Sequence, residues 1–191
     1  MKRLFFALDL PASIRDELES LQESIEEHLR GGVRVRWTPR ENLHLTLKFL
    51  GTLEDGLVLR LREIGDELVD DVEPVEMTVR DVGAFPSPAH PRILWAGVDR
   101  QSQELLAKLH GRLEERLRPI DVEPDEHDFT AHVTIGRVKS SRGPALTDWR
   151  AELPTGPYGE MQLEELVLYE SELDDSGAEY TVLHRSPFGG G

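Results

Sequence analysis

Two short segments, one in each half of the chain, constrain the fold more than any other feature. Residues 43–49 and 130–138 alternate apolar with polar side chains, and each contains the tetrad His-apolar-Thr-apolar, beginning at His44 and at His132. Strict alternation predicts a half-buried β-strand. Because the tetrads lie 88 residues apart in a chain of 191, we expect two lobes related by pseudo-twofold symmetry, whose alternating strands face one cleft.

Helices and further strands surround these segments. Apolar residues at intervals of three and four predict helices over residues 14–29, 57–68 and 105–117. We expect Asp55 to cap the second helix and the proline-rich stretch 85–91 to form a rigid loop. Apolar or alternating runs predict strands at residues 3–8, 33–37, 75–82, 93–98, 163–173 and 180–183. Several connections are too short for parallel crossovers, so the pattern indicates an α/β or α+β fold rich in antiparallel pairs.

The charge balance limits the kinds of partner. The chain has 22 basic and 37 acidic residues, a net charge of −15, and its basic residues are 18 arginines and only four lysines. An acidic, lysine-poor surface is typical of a halophilic source, although an acidic mesophilic protein is the alternative. Such a surface disfavours non-specific binding of a long duplex, which needs a basic face. Any nucleic-acid substrate should therefore bind at a small, local site.

Several classes of site and location are excluded or disfavoured. The chain has no cysteine, which excludes disulfides, thiolate metal sites and a cysteine nucleophile. It has no apolar run near the roughly 20 residues that cross a bilayer, and its apolar N-terminal stretch is too short for a signal peptide. We expect a cytoplasmic protein that does not bind membranes.

The two tetrads suit phosphate chemistry. On a strand, His and Thr at positions i and i+2 point to the same side, about 7 Å apart. Two such strands across a cleft would present two imidazoles and two hydroxyls to one small ligand. The hydroxyls can donate to phosphoryl oxygens, while one imidazole accepts a proton and the other donates one. This chemistry requires no metal and no cofactor, and the residues alone do not decide which histidine is the acid.

Three other interpretations compete with this one. A single His-x-Thr on an edge strand is most often just solvated, but the duplicated spacing argues against that. Two histidines without a third ligand at metal-binding spacing make a poor metal site. A non-catalytic nucleotide- or RNA-binding module is the main alternative to an enzyme, although a binder has no need of two proton-transfer groups.

Four segments make the chain similar to a known family. They are RLFFALDLP at residues 3–11, WTP with NLHLTLKFLG between residues 37 and 51, PRILWAGV at residues 91–98, and HVTIGR at residues 132–137. In this order they resemble the 2H phosphoesterase superfamily, and within it the RNA 2′,3′-cyclic phosphodiesterase branch, formerly called 2′-5′ RNA ligase. The resemblance implies one bilobal α+β domain over residues 1–191, each lobe having an antiparallel sheet, outer helices and one His-x-Thr motif.

The resemblance also implies a reaction and roles for particular residues. Members of this family open a terminal 2′,3′-cyclic phosphate to a 2′-phosphomonoester without a metal, and the reverse reaction can form a 2′,5′ link. His44 matches the proton donor and His132 the proton acceptor. The remaining matches are to phosphate ligands, Thr46, Thr134 and Arg137, and to a residue lining the nucleoside side, Phe5. The expected substrates are RNA 3′ ends or small cyclic nucleotides, possible tRNA fragments among them, and the expected state is a monomer.

The role implied for Arg137 depends on the shape of the strand that carries it. Strict alternation along the strand turns it away from the face that carries His132. For Arg137 to reach a phosphate, the strand must bulge or end at Gly136, a residue that permits a bulge.

The sequence also gives expected positions for four other residues. Lys48 shares the predicted polar face of His44, where it would be a groove cation or simply solvated. Arg92, beside a proline, is a candidate groove cation. Trp95 is expected in the core, and His110 at the surface.

Overall fold

The computed structural model describes residues 1–29, 33–141, 153, 156–173 and 177–189. Within these ranges the chain forms an α+β fold, as predicted, with three α-helices against one curled sheet of nine strands. In chain order the elements are β1 (Lys2–Asp9), α1 (Ala12–His28), β2 (Val33–Trp37), β3 (His44–Leu53), α2 (Val58–Val69), β4 (Val75–Ser87), β5 (His90–Val98), α3 (Arg100–Leu117), β6 (Val133–Ser141), β7 (Gly159–Leu163), β8 (Glu165–Leu173) and β9 (Ala178–Pro187). None of the helices in the described ranges is long and apolar enough to cross a membrane.

The sheet consists of two half-sheets that meet at a single residue pair. Its strand order is β7-β4-β5-β6-β3-β1-β8-β9, and β2 pairs with β6 beside this path. Between the half-sheets, the antiparallel neighbours β6 and β3 pair only at Leu45 and Val133. The predicted duplication therefore places the two alternating strands side by side at the centre of the sheet.

The helices cover one face of the sheet and bury its apolar side chains. The stripe predicted for α1 is buried, with Ile14, Leu18, Leu21 and Ile25 inside. Gln22 on the same helix is also buried, and its Nε2 donates to the backbone oxygens of Thr38 at 2.9 Å and Ile135 at 2.8 Å. The opposite face of the central strands lines a groove.

Both central strands carry a β-bulge at the last residue of their tetrads. In β3, Phe6 of β1 faces Lys48 while Ala7 faces Thr46, so Leu47 is the extra residue. In β6, Leu94 of β5 faces Gly136 while Trp95 faces Thr134, so Ile135 is the extra residue. A bulge shifts the alternation by one residue. The residues that follow each bulge thus change faces relative to an unbroken alternation.

The bulge in β3 corrects part of the predicted pattern. Phe49, expected on the apolar face, lies on the groove side and is 56 % exposed. Lys48, expected on the face of His44, is 2 % exposed. Sequence alternation missed both positions because nothing in it reports an inserted residue.

Other local predictions are also corrected. Asp55 does not cap α2, because the N-terminus of this helix has no side-chain cap. The Asp55 carboxylate instead pairs with the amino group of Met1 at 2.7 Å. The proline-rich stretch continues β4 to Ser87 and pairs with β5, so it is a hairpin rather than a loop. The predicted strand 163–173 is two strands, β7 and β8, that separate at Glu164.

Candidate active site

The register of the central strands brings the two tetrads together. Because Leu45 pairs with Val133 in an antiparallel arrangement, the adjoining positions place His44 across from Thr134 and Thr46 across from His132. The four side chains line one groove of about 950 Å³. An approximate twofold axis therefore passes through the Leu45–Val133 pair, and each half-sheet contributes one histidine and one threonine to the same cavity.

Backbone carbonyls hold both imidazole rings in the same tautomer. His44 Nδ1 lies 2.8 Å from the oxygen of Asn42, and His132 Nδ1 lies 2.7 Å from the oxygen of Thr130. A carbonyl only accepts hydrogen bonds, so Nδ1 carries the proton in each ring. The Nε2 atoms remain for proton transfer, and that of His44 contacts Thr46 Oγ1 at 2.9 Å.

Aromatic rings support each histidine. Phe5 packs against His44 with ring centroids 5.1 Å apart, and Tyr180 meets the same ring edge-on at 5.2 Å. Phe85 meets His132 edge-on at 5.1 Å. Phe5, expected to line the nucleoside side, is 1 % exposed and lies behind His44. Its position in the structure is that of a support for the imidazole.

The pKa values of both histidines are shifted down. Burial lowers the pKa of His44, while the Asn42 carbonyl and the Asp9 carboxylate oppose this and Arg15 adds to it. Burial also lowers the pKa of His132, where the Thr130 carbonyl opposes it and Arg137 adds to it. The charges around the two rings differ: the Asp9 carboxylate favours protonation of His44 and opposes the Arg15 guanidinium, whereas among the described residues no carboxylate opposes the Arg137 guanidinium at His132.

The β6 bulge turns Arg137 into the groove, as its predicted role requires. Arg137 lines the cavity together with Arg92. Gly136 permits the bend because a Cβ there would lie 2.7 Å from Val35 Cγ1 and 2.9 Å from Trp37 Cε3. The bulge falls at Ile135, one residue before the expected place. The same shift in β3 puts Phe49 at the position equivalent to Arg137, so the two halves carry an aromatic ring and a cation at matching places.

Lys48 forms a buried ion cluster instead of a groove cation. Its Nζ donates to Glu114 Oε1 at 2.7 Å, Asp125 Oδ1 at 2.6 Å and the backbone oxygen of Glu123 at 3.1 Å. His110, expected at the surface, is buried, and its Nε2 lies 2.8 Å from Asp125 Oδ2. The cluster fixes the loop that leads from α3 to His132 against β3.

The same cluster contains three side chains at metal-ligand spacing. Ligand atoms of His110, Glu114 and Asp125 lie within 4.8 Å of one another. The ammonium of Lys48 contacts both carboxylates, so the positive charge that a metal would supply is already present. The lysine would have to move out for a metal ion to bind there, and the donor set does not fit one as it stands.

Sequence reasoning missed several residues around the groove. Tyr180 and Phe85 both line it. The prolines around Phe85 predict a loop, whereas the structure has a strand there. Tyr180 lies on β9, far along the chain from either tetrad. Trp95, expected in the core, is half-buried and packs on Phe85 with ring centroids 5.2 Å apart. Cross-strand register, which the sequence does not reveal, brings these rings to the histidines.

Comparison with known proteins assigns the family. The family model described as LigT like phosphoesterase matches residues 8–95 and 97–180. The chain belongs to this family, within the 2H phosphoesterase superfamily. This agrees with the resemblance carried by the two tetrads, each of which lies in one of the matched segments.

Similar proteins and solved structures match nearly the whole chain. The chain is 32 % identical over 180 residues to an RNA 2′,3′-cyclic phosphodiesterase of Methanothermobacter thermautotrophicus, covering 94 % of this chain and 95 % of that protein. It is 34 % identical to one of Archaeoglobus fulgidus, covering 95 % and 97 %. A crystal structure of a Thermus thermophilus protein matches with a TM-score of 0.81, and E. coli LigT complexed with 3′-AMP matches with 0.77. Both are 26 % identical, and 98 % of each chain is covered.

Proposed function

We propose that this groove hydrolyses terminal 2′,3′-cyclic phosphates of RNA or nucleotides by metal-independent acid–base catalysis. The main support is the antiparallel pairing of Leu45 with Val133, because this pairing puts two imidazoles and two hydroxyls around one cavity. The relatives named RNA 2′,3′-cyclic phosphodiesterase support the same reaction. A ligand complex of the structural neighbour LigT, with 3′-AMP, supports a nucleotide as the occupant.

The charges around the two rings support a division of roles between them. His132 beside Arg137 is the group that is easier to keep neutral, so it accepts the proton of the attacking water. His44 is the ring near the carboxylate of Asp9, so it carries the proton for the leaving oxygen. The water oxygen bonds to phosphorus, the P–O3′ bond breaks, and O3′ takes the proton of His44 Nε2. The product is a 2′-phosphomonoester.

The remaining groove residues bind the phosphate. The Thr46 and Thr134 hydroxyls donate to its non-bridging oxygens, and Arg137 offsets the negative charge that develops in the transition state. When a 5′-hydroxyl replaces water, the same attack forms a 2′,5′ link as P–O3′ breaks. We further propose that the two half-sheets act as lobes of one domain over residues 1–191. The monomeric state, the cytoplasmic location, tRNA fragments as substrates and a halophilic source stay predictions.

The test is incubation of a 2′,3′-cyclic nucleotide with the protein in EDTA. An enzyme of the proposed kind consumes the cyclic nucleotide at the same rate with and without the chelator. A binding module on this scaffold would hold the nucleotide and leave it intact, and that outcome would overturn the proposed function.

The pH profile tests the assignment of His132 as the base. Because burial lowers the pKa of both histidines, we expect kcat/KM to be highest below pH of about 6.5, the ordinary pKa of histidine. In Arg137→Gln, loss of the guanidinium raises the pKa of His132. The acidic limb of the profile should therefore move to higher pH, alongside a general loss of activity.

Arg92→Gln is the matched control, because Arg92 also lines the groove but is not one of the charges that shift either histidine. We expect both limbs to stay in place in this variant. If Arg137→Gln moved the alkaline limb and left the acidic one unchanged, the two histidines would have to exchange roles.

A further inference from the structure

Two arginines continue the cationic side of the groove beyond the reacting phosphate. Arg36 of β2 pairs directly with Arg137 of β6, and Arg34 precedes it by two residues on the same strand. Directly opposed residues share a face of a sheet, as do residues i and i+2 along a strand. Since Arg137 lines the groove, Arg36 and Arg34 lie on the groove face as well. We call Arg34, Arg36 and Arg137 the arginine strip.

Packing on the other face of β2 confirms this orientation. Val35 and Trp37, which alternate with the two arginines, pack against the hydrophobic core. Arg34 and Arg36 are both exposed. One terminal nitrogen of Arg36, Nη2, lies 3.2 Å from where a Cβ of Gly177 would be. Arg36 thus sits beside the start of β9, the strand that contributes Tyr180 to the groove.

The strip differs from six other arginines in its electrostatic surroundings. Arg40, Arg60, Arg80, Arg100, Arg112 and Arg185 each pair with a carboxylate. In the part of the chain that the structure describes, no carboxylate forms an ion pair with any member of the strip. In a protein with a net charge of −15, a row of guanidinium groups without such partners among the described residues is a local site for anions.

The other end of β6 carries the opposite charge. The loop that enters β6 at His132 contributes Glu126 and Asp128 to the groove lining, whereas β2 pairs with residues 136–141 at the far end of the strand. A polyanion whose end is held at the two histidines is repelled by the acidic end. Only the end with the strip attracts it.

We propose that single-stranded RNA leaves the groove across β2, with the phosphates 5′ of its terminal nucleoside bound by Arg36 and Arg34. This rests on the proposed function, because it takes the cyclic phosphate at the histidines as the fixed end of the chain. Guanidinium groups bind phosphate through paired N–H donors. Arg34 and Arg36 stand about 7 Å apart along the strand, so each can contact a different phosphate. The preferred substrate is therefore an RNA end and not a cyclic mononucleotide.

Binding measurements test this without requiring turnover. The probes are a 5′-labelled RNA pentanucleotide that ends in a 2′-phosphate and the corresponding nucleoside 2′-monophosphate. In the Arg34→Ala/Arg36→Ala variant we expect the Kd of the pentanucleotide to rise at least about tenfold, with the mononucleotide unchanged. The slope of log Kd against log salt should fall by about 1.4, the value for two phosphate contacts on a single strand.

The matched control removes two positive charges of α3 that do not line the groove. Arg100 and Lys108 are exposed there, so Arg100→Ala/Lys108→Ala changes the net charge equally and should leave both Kd values unchanged. The proposal is wrong if the pentanucleotide binds wild type no more tightly than the mononucleotide does. It is also wrong if the strip variant weakens both ligands equally, or if the control weakens RNA as much. Tight, strip-dependent RNA binding without hydrolysis of cyclic ends would instead refute the proposed function alone.

Discussion

Alanine at either groove histidine is expected to lower kcat for a 2′,3′-cyclic phosphate by about 10²–10⁴-fold, the range for loss of one general acid or base. His44→Ala removes the proton donor and His132→Ala the acceptor. The phosphate ligands remain in both variants, so the Kd of the 2′-phosphate product should rise much less than kcat falls. Because the two groups act in one step, the double variant should be little worse than the poorer single variant. Initial rates and product binding measure these effects.

His90→Ala is the control for removal of an imidazole. His90 is exposed at the start of β5 and does not line the groove, so this variant should keep wild-type kinetics. A variant of His44 or His132 that retained more than about a tenth of wild-type kcat would contradict acid–base catalysis by this pair. Equal losses of kcat and product affinity would point instead to a ligand-binding role.

Lys48→Met is expected to destabilise the protein by about 3 kcal/mol. Removing one partner of a buried ion pair typically costs about 3–5 kcal/mol, because the remaining charge stays desolvated. The lower end applies because Asp125 is 44 % exposed, so water relieves part of its charge. Urea unfolding followed by circular dichroism measures the free energy of unfolding. The loss should shrink in acid as Glu114 and Asp125 become protonated.

Neutralising the partners should recover most of that stability. In wild type, burial alone would raise the pKa values of Glu114 and Asp125, but the hydrogen bonds and charge of Lys48, together with those of neighbouring groups that include His110, lower both pKa values. When Glu114→Gln and Asp125→Asn are added to Lys48→Met, no carboxylate of the cluster remains without a partner. Replacing a whole buried ion cluster in this way often changes the free energy of unfolding little. Lys108→Met, on the exposed face of α3, is the single-variant control. A loss below about 1 kcal/mol for Lys48→Met, or no recovery on neutralisation, would contradict the structural role of the cluster.

Periodicity predicted the elements that have one buried face. The stripe of α1 and the buried strand β1 follow directly from the spacing of apolar residues, because burial on one face imposes that spacing. The duplicated tetrad likewise predicted that His44 and His132 share a cleft, since two equivalent strands must bury equivalent faces. The structure confirms these predictions. They succeed because packing against the core is what produces the spacing of the apolar residues.

The sequence predicted only part of what depends on register. The bulges at Leu47 and Ile135 place Lys48 in the buried ion cluster and turn Phe49 and Arg137 into the groove. Of these three positions, the sequence anticipated that of Arg137, through a bulge beside Gly136. An inserted residue leaves no compositional trace except the permissive glycine at Gly136. The cross-strand meeting of Arg36 with Arg137 also required knowledge of which strands pair. Long-range pairing, and not local propensity, therefore determines most of the groove lining.

The isomer of the hydrolysis product distinguishes the proposed reaction from its alternatives. A short RNA that ends in a 2′,3′-cyclic phosphate is incubated with the protein in EDTA and ¹⁸O-labelled water, and chromatography separates the 2′- and 3′-phosphate isomers. We expect the 2′-phosphate with one labelled oxygen, formed at a rate that the chelator does not change. A 3′-phosphate product, or turnover that stops in EDTA and returns with added metal, would contradict the proposed reaction.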